Sequence, residues 1–315
     1  MKRFVGVLVA VTLLASVCLL SVVFSQGQSE LANPQKVKHR MRNDPDEDKN
    51  KDEHPAEAGK AARAKAGSNG ITYHGGPVIL GTTHIYYIWY GNWGSNTANT
   101  ILTNLAQNIG GSPYFNINTT YYNGSNVHVS NSVSYGGSTN TGTSVYGTSL
   151  TDAEVQSIVR DAVVSGALPY DTNAVYFVLT SADVTASSGF CTQYCGWHTY
   201  GTINGFNIKY SFVGNPDRCP SACEAQTKGP NGNAGADGMA SIIAHELEEA
   251  VSDPNLNAWY DSHGAENADK CAWTFGTTFT TSNGALANMT MGGRNWLIQR
   301  NWVNASGGFC AKSYP

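Results

Sequence analysis

GMASIIAHELEEAVSDP, residues 238–254, is the segment that decides the fold. Its apolar residues recur at helical spacing and form one wide stripe, which predicts a helix packed against a sheet. The stripe consists of Met239, Ile242, Ile243, Leu247, Ala250 and Val251. Asp237 could cap this helix, and Asp253-Pro254 should end it because proline cannot continue the backbone hydrogen bonding. We therefore predict an anchored helix whose second half carries a histidine and three glutamates.

The polar half of this helix has the spacing of a metal site. His245 and Glu249 are four residues apart, so both project from the same helical face. The pattern resembles the zinc-protease signature His-Glu-x-x-His with the second histidine replaced by glutamate, in which Glu246 would be the general base. We predict Zn²⁺, although the added carboxylate also suits another divalent cation. The alternative is that these residues form the solvent-exposed face of an ordinary helix. With or without a metal site, Glu248 is expected to face solvent.

A third ligand must come from outside the first two helical turns. Seven of the fifteen acidic residues from Gly70 onward fall between Glu246 and Asp269. In gluzincin proteases a glutamate from a following segment is the third ligand and a nearby aspartate orients a histidine. By that resemblance we predict Glu266 as the third ligand and Asp269 as its supporting residue, with Asp253 in reserve.

Other sites are less well marked. His74 and His198 could line a site, but we expect each of them to be a structural or surface residue. The sequence has no Gly-x-Ser-x-Gly elbow, P-loop or dinucleotide fingerprint. From Gly70 onward there are eight Lys or Arg against fifteen Asp or Glu, so a nucleic-acid partner is not expected.

The N-terminal third has two segments of its own. Residues 1–27 carry a charged start, an apolar run and a polar exit, which predict a secretory signal peptide; an uncleaved membrane anchor is the alternative. Residues 28–68 hold nine Lys or Arg and eight Asp or Glu without an aromatic residue, and we predict a disordered linker or a propeptide. We expect an extracellular, periplasmic or cell-wall-associated protein that is monomeric and has no membrane contact after cleavage.

Six cysteines follow the signal segment, and they are typical of a stapled exported domain. Their even number predicts three disulfides, with fifteen possible pairings that the sequence leaves open. The two Cys-x-x-x-Cys spacings could instead hold a structural zinc. The cysteines are Cys191, Cys195, Cys219, Cys223, Cys271 and Cys310.

Alternating element signals place residues 69–315 in one α/β domain with a mixed sheet. Buried strands are predicted at residues 83–91, 173–181 and 207–215, and a half-buried strand at residues 125–137. Residues 96–111 have helical spacing, and Thr151 with Glu154 forms a capping box for a helix that ends near Val164. The Cys- and Gly-rich stretch between the second and third buried strands is predicted to be a loop.

Four blocks carry a resemblance to a known family: YHGGPVILGTTHIYYIWYGNW, GFCTQYCGWHTYG, YSFVGNPDRCPSAC and NGNAGADGMASIIAHELEEAVSDPNLNAWY. They resemble the EXORDIUM/phosphate-induced protein family over residues 73–310. This implies a secreted or wall-associated protein; plant members are linked to cell expansion and growth signalling without a settled biochemical activity. The His-Glu-x-x-Glu helix differs from the plant pattern and suggests a bacterial-type member of zincin-like metallopeptidase architecture.

Together these patterns favour a secreted metal-dependent hydrolase, zinc peptidase-like, that acts on a peptide or protein substrate. The alternative is a non-catalytic extracellular or cell-wall-associated binding protein whose partner is a cell-wall polysaccharide.

Overall fold

A computed structural model of the chain describes residues 37–40, as a backbone strand, and residues 70–315. The predicted signal peptide and the remainder of the predicted linker or propeptide lie outside these ranges. Within that segment, Val37–Arg40 forms a paired strand where disorder is predicted.

The core is one six-stranded mixed sheet with the order β1-β8-β9-β6-β3-β4. Its strands are β1 (Val37–Arg40), β3 (Thr83–Tyr90), β4 (Val133–Thr141), β6 (Ala174–Thr180), β8 (Tyr194–Ile203) and β9 (Phe206–Val213). Strands β4, β3, β6 and β9 pair in parallel, while β8 runs antiparallel to β9 and β1 runs antiparallel to β8. The predicted α/β class with a mixed sheet is confirmed.

Short two-stranded ribbons surround this sheet. They are built from β2 (Thr72–Tyr73) with β10 (Trp259–Tyr260), β5 (Ser149–Leu150) with β7 (Thr185–Ala186), β11 (Phe279–Thr280) with β12 (Leu286–Ala287), β13 (Met289–Met291) with β14 (Arg294–Trp296), and β15 (Asn301–Val303) with β16 (Phe309–Ala311).

Helices cover both faces of the sheet, which explains why its central strands are apolar without alternation. The helices are α1 (Ala98–Asn108), α2 (Asp152–Val164), the single turn α3 (Pro220–Cys223) and α4 (Ala234–Ser252). A Cβ on Gly196 would meet Ile242 of α4, whereas a Cβ on Gly201 would meet Gln156 of α2. Successive side chains of a strand point to opposite faces, so α4 and α2 pack on opposite faces of β8.

The capping box at the start of α2 is confirmed. The Glu154 amide donates to the Thr151 hydroxyl at 3.3 Å, and the Glu154 carboxylate accepts from the Thr151 amide at 2.7 Å. We expect Thr151→Ala to lower the free energy of unfolding by about 1 kcal/mol, because the first turn loses its side-chain acceptor. Urea unfolding measures this change, and Thr151→Ser is the matched variant that retains the acceptor. Equal stability of Thr151→Ala and the parent chain would contradict the assignment.

Three local predictions were wrong. The Cys- and Gly-rich stretch expected to be a loop contains the ten-residue strand β8, because pairing with β9 supplies the order that its composition lacks. The strand predicted at residues 125–137 begins at Val133. Asn233, not Asp237, caps α4, and its side chain accepts from the Ala236 amide at 3.0 Å.

The six cysteines form three disulfides, as predicted, and the structure shows which of the fifteen pairings is used. None of the six is left for a Cys-x-x-x-Cys zinc site. The pairs are Cys191–Cys219, Cys195–Cys223 and Cys271–Cys310. Within residues 70–315, no helix is both long and apolar enough to cross a membrane.

Candidate metal centre

Helix α4 is buried on every side, including its polar half. Its apolar stripe packs on the sheet, and the side chains of His245, Glu246 and Glu249 are fully shielded from solvent. Glu248, expected at the surface, is also fully buried. Its carboxylate accepts a hydrogen bond from the side-chain amide of Asn301. Strand β15 therefore covers the side of the helix that the sequence pattern predicts to be exposed to solvent.

Strand β8 adds a second histidine to the helix. Gly196 and His198 lie two residues apart, so both face α4. A Cβ on Gly196 would lie 2.6 Å from Ile242 and 3.1 Å from Oε1 of Glu246. Glycine therefore lets β8 approach the helix closely at the point where His198 enters the cluster.

The loop after β10 brings two further carboxylates. Glu266 is 1% exposed, and its Oε2 lies 3.0 Å from Nε2 of His198. The Asp269 amide donates to Oε1 of Glu249 at 3.0 Å, which holds this loop against α4. The Cys271–Cys310 disulfide then ties the same loop to β16.

Glu249 lies at the centre of the cluster, with one oxygen towards each histidine. Its Oε1 is 3.0 Å from Nε2 of His245, and its Oε2 is 3.6 Å from Nε2 of His198. Oδ1 of Asp269 is 3.6 Å from the same His245 nitrogen. Two groups have potential ligand atoms that lie within 4.8 Å of one another: His245, Glu249 and Asp269, and His198, Glu246 and Glu249.

Burial sets the protonation of these groups. Burial, helped by repulsion from His245, lowers the pKa of His198 to about 3, so this imidazole is neutral. Burial also opposes the charge on His245, but the adjacent carboxylates of Glu249 and Asp269 outweigh it and raise the pKa of His245. The pKa of Glu249 rises to about 7, chiefly because it is desolvated.

The pKa values of Glu246 and Glu266 are raised, as that of Glu249 is. Burial raises the pKa of both carboxyls, and repulsion from Glu249 and Asp269 adds to the shift. Lys270, the neighbour of Asp269 in the chain, forms an ion pair with Asp261 at 2.9 Å. The cluster therefore gathers several carboxyl groups at a place where water cannot solvate their charged forms.

Unpartnered oxygens mark the cluster as a site for a cation. Both oxygens of Glu246, together with Oε2 of Glu249, are buried and accept no hydrogen bond from any described residue. Buried carboxylates are normally hydrogen-bonded, paired with a cation or bound to a metal. The residues also offer imidazole and carboxylate donors, a combination that suits zinc and manganese. The donor set thus fits a divalent ion.

The structure brings together most of the residues singled out in the sequence. His245, Glu246 and Glu249 share the cluster with Glu266 and Asp269. Asp269 reaches His245 and Glu249 directly, whereas Glu266, the expected third ligand, is bonded to His198.

Asp253, predicted as an alternative metal ligand, stabilises the local backbone. Its Oδ1 accepts from the amides of Asn257 and Ala258 at 2.6 and 2.7 Å and so fixes the turn after α4.

His198 is the cluster residue that the sequence reasoning expected to be structural or at the surface. It lies in the segment CGWHTY of strand β8, where the glycine and cysteine residues favour the prediction of a loop. The signal available in the sequence was its position three residues after Cys195, a predicted disulfide cysteine. In the structure Cys195 is bonded to Cys223 of α3. His74 remains at the surface, where its ring stacks on Tyr260.

Comparison with known proteins gives a consistent relationship. The profile described as the Phosphate-induced protein 1 conserved region matches residues 71–299. Protein EXORDIUM-like 3 of Arabidopsis thaliana is 31% identical over 270 residues, which cover 74% of this chain and 80% of that protein. Protein EXORDIUM-like 5 of the same plant is also 31% identical, over 74% of this chain and 75% of its own length.

A tobacco relative is more distant. Protein PHOSPHATE-INDUCED 1 of Nicotiana tabacum is 24% identical over 60% of this chain and 67% of its own length. No solved structure matches the chain. These comparisons support the EXORDIUM resemblance and give no support to its bacterial-type, zincin-like part.

Proposed function

The chain belongs to the phosphate-induced protein 1 family, and within that family we propose that it is an exported, metal-dependent hydrolase of peptide-like substrates. One observation carries the proposal: the fully buried carboxylate of Glu246 has no hydrogen-bond partner among the described residues, belongs to one group of potential metal ligands and lies next in the chain to His245 of the other. A general base next to a divalent ion is the arrangement that metal-assisted hydrolysis requires. The zincin-like architecture expected from the sequence is part of this proposal.

Zinc is the ion we propose, held by His245 and Glu249 on α4 and by Asp269 from the loop. When bound, it would supply positive charge that polarises a substrate carbonyl and makes water more acidic. The Asp269 amide already fixes one oxygen of Glu249 at 3.0 Å, so the ligand does not have to be ordered on binding. Glu266 positions His198 through the 3.0 Å contact at Nε2.

Glu246 would take the proton from the attacking water and pass it to the leaving group. Its raised pKa, caused by burial, makes this carboxylate a stronger proton acceptor than an exposed glutamate. The neutral imidazole of His198 belongs to the same group of potential ligands as Glu246; Glu266 holds its Nε2, and its Nδ1, which has no partner among the described residues, would hydrogen-bond a polar group of the substrate.

One observation favours a second candidate. The side chains of His198, His245, Glu246 and Glu249 are completely shielded from solvent, and closed sites are typical of structural ions. In that case the protein would be a non-catalytic extracellular or cell-wall-associated binding protein that contacts a polysaccharide elsewhere on its surface.

Elemental analysis of the purified full chain, combined with a quenched-fluorescent peptide library, tests the proposal. We expect about one zinc per chain and hydrolysis that a chelator abolishes. Bound metal without hydrolysis of any library member, by the full chain and also after limited proteolysis of segment 28–68, would favour the structural candidate. Absence of transition metal from a chain refolded with zinc would exclude both a catalytic and a structural zinc ion, and with them the hydrolase.

A further inference from the structure

Strand β8 is the last strand of the folded domain on its side of the sheet, and β1 from the N-terminal segment pairs with its outer edge. The pairing is antiparallel, with Val37 opposite His198 and His39 opposite Gly196, and the register shifts before Arg40. An exposed edge presents unpaired N–H and C=O groups to any extended chain. Here a segment of the same protein occupies that edge.

This edge passes directly beside the metal centre. The two β8 residues opposite β1 that face α4 are Gly196 and His198. His198 belongs to the cluster, and the backbone at Gly196 approaches Oε1 of Glu246 so closely that an added Cβ would lie 3.1 Å from it. A chain paired with β8 is therefore held along the strand that contacts the proposed general base.

The charge of the occupying segment matches its location. Residues 36–42, KVKHRMR, contain four Lys or Arg and no acidic residue, although the wider segment 28–68 is nearly balanced. From Gly70 onward the chain carries eight Lys or Arg against fifteen Asp or Glu, a net charge of −7. Opposite net charges favour association of the two parts.

We propose that the outer edge of β8 is the binding site for an extended polypeptide substrate, and that Val37–Arg40 blocks it in the same chain. The segment lies between the predicted signal peptide and the domain, so its release or cleavage would expose the edge. This inference rests on the proposed hydrolase for its catalytic consequence, but occupancy of the edge can be measured without it. The cluster is fully buried in a structure in which β1 is paired with β8.

Proline variants of the full chain test the pairing. Alternate residues of an antiparallel strand bond to their neighbour, so Val37→Pro or Lys38→Pro must remove a hydrogen bond to β8. We expect one of them to accelerate hydrogen exchange at least about 10-fold at the β8 amides opposite β1 and to leave β6 unchanged. Lys60→Pro, elsewhere in the same segment, is the matched control and should leave β8 exchange unaltered.

A labelled peptide of residues 34–42 tests the binding site directly. We expect it to bind the responsive proline variant at least about 10-fold more tightly than the parent chain, whose own segment competes, and hydrolysis of library peptides should rise in the same variant. Unchanged exchange in both variants, or no binding of the peptide, would overturn the proposal. Faster exchange with peptide binding but no hydrolysis would retain the peptide-binding edge and reject the hydrolase. Hydrolysis that does not increase when the edge is exposed would reject the inhibitory role.

Discussion

Glu246→Gln abolishes peptide hydrolysis and leaves the bound metal in place: this is the result we expect from the geometry of the cluster. Glutamine keeps the shape of the side chain but cannot take a proton from water, and loss of a general base costs about 10²- to 10⁴-fold in rate. The metal should remain because His245, Glu249 and Asp269 are unchanged. The measurements are kcat/KM on a cleaved library peptide and zinc per chain.

Glu248→Gln is the matched control on the same helix. Glu248 is equally buried, but its carboxylate accepts from Asn301 and belongs to neither group of potential ligands. A glutamine oxygen can accept the same hydrogen bond, so this variant should hydrolyse the peptide at close to the parental rate. Comparable losses in the two variants would show that Glu246 acts through stability and is not a base.

Removal of the metal should destabilise the protein strongly near neutral pH and much less in acid. The raised pKa of Glu249, about 7 against an ordinary 4.5, means that the ion-free folded chain binds protons that the unfolded chain releases. Burial raises the pKa of Glu246 and Glu266, and the surrounding carboxylates raise the pKa of His245. These groups therefore change the stability of the ion-free chain with pH in the same direction as Glu249. Their stabilisation is complete below the unfolded pKa values and is lost as the pH rises through the folded ones.

The ion behaves in the opposite way, because its ligands must lose their protons to bind it. An ion present at about 1,000 times its Kd adds about 4 kcal/mol, which corresponds to about 8 to 16 °C in Tm for a domain of this size. We expect a chelator to lower Tm by about that amount at about pH 7.5 and by less than half of it at about pH 5. Thermal unfolding followed by circular dichroism measures both values.

Glu249→Gln provides the control for this experiment. Glu249 belongs to both groups of potential ligands, so its substitution should remove the chelator-dependent change in Tm. An equal Tm with and without chelator in the parent chain at about pH 7.5 would contradict a stabilising ion.

The sequence predicted those elements whose local pattern and tertiary environment agree. Strand β3 and helix α2 match their expected positions because an apolar run and a capping box are both local signals. Strand β8 was missed because glycine and cysteine carry little strand preference, and only its pairing with β9 orders it.

The site shows the same division. His245 and Glu249 were predictable because helical spacing puts them together. His198 enters from β8, 47 positions before His245 in the chain, and no sequence period links a strand to a helix over that distance. Glu248 was misplaced because periodicity distinguishes one apolar face from the rest, and it does not show that β15 covers the opposite face.

The disulfides give the centre an order of assembly in time. Cys195 lies three residues before His198, and Cys271 lies two residues after Asp269, so each covalent bond fixes a segment that brings a donor to α4. Closure of loops with sequence separations of 28 and 39 restricts the unfolded chain by about 3.5 to 4 kcal/mol each. A reducing compartment withholds that restriction, so a newly made chain would meet its ion with two donor segments still loose. For the proposed ion, we therefore expect oxidation of these cysteines to precede metal capture.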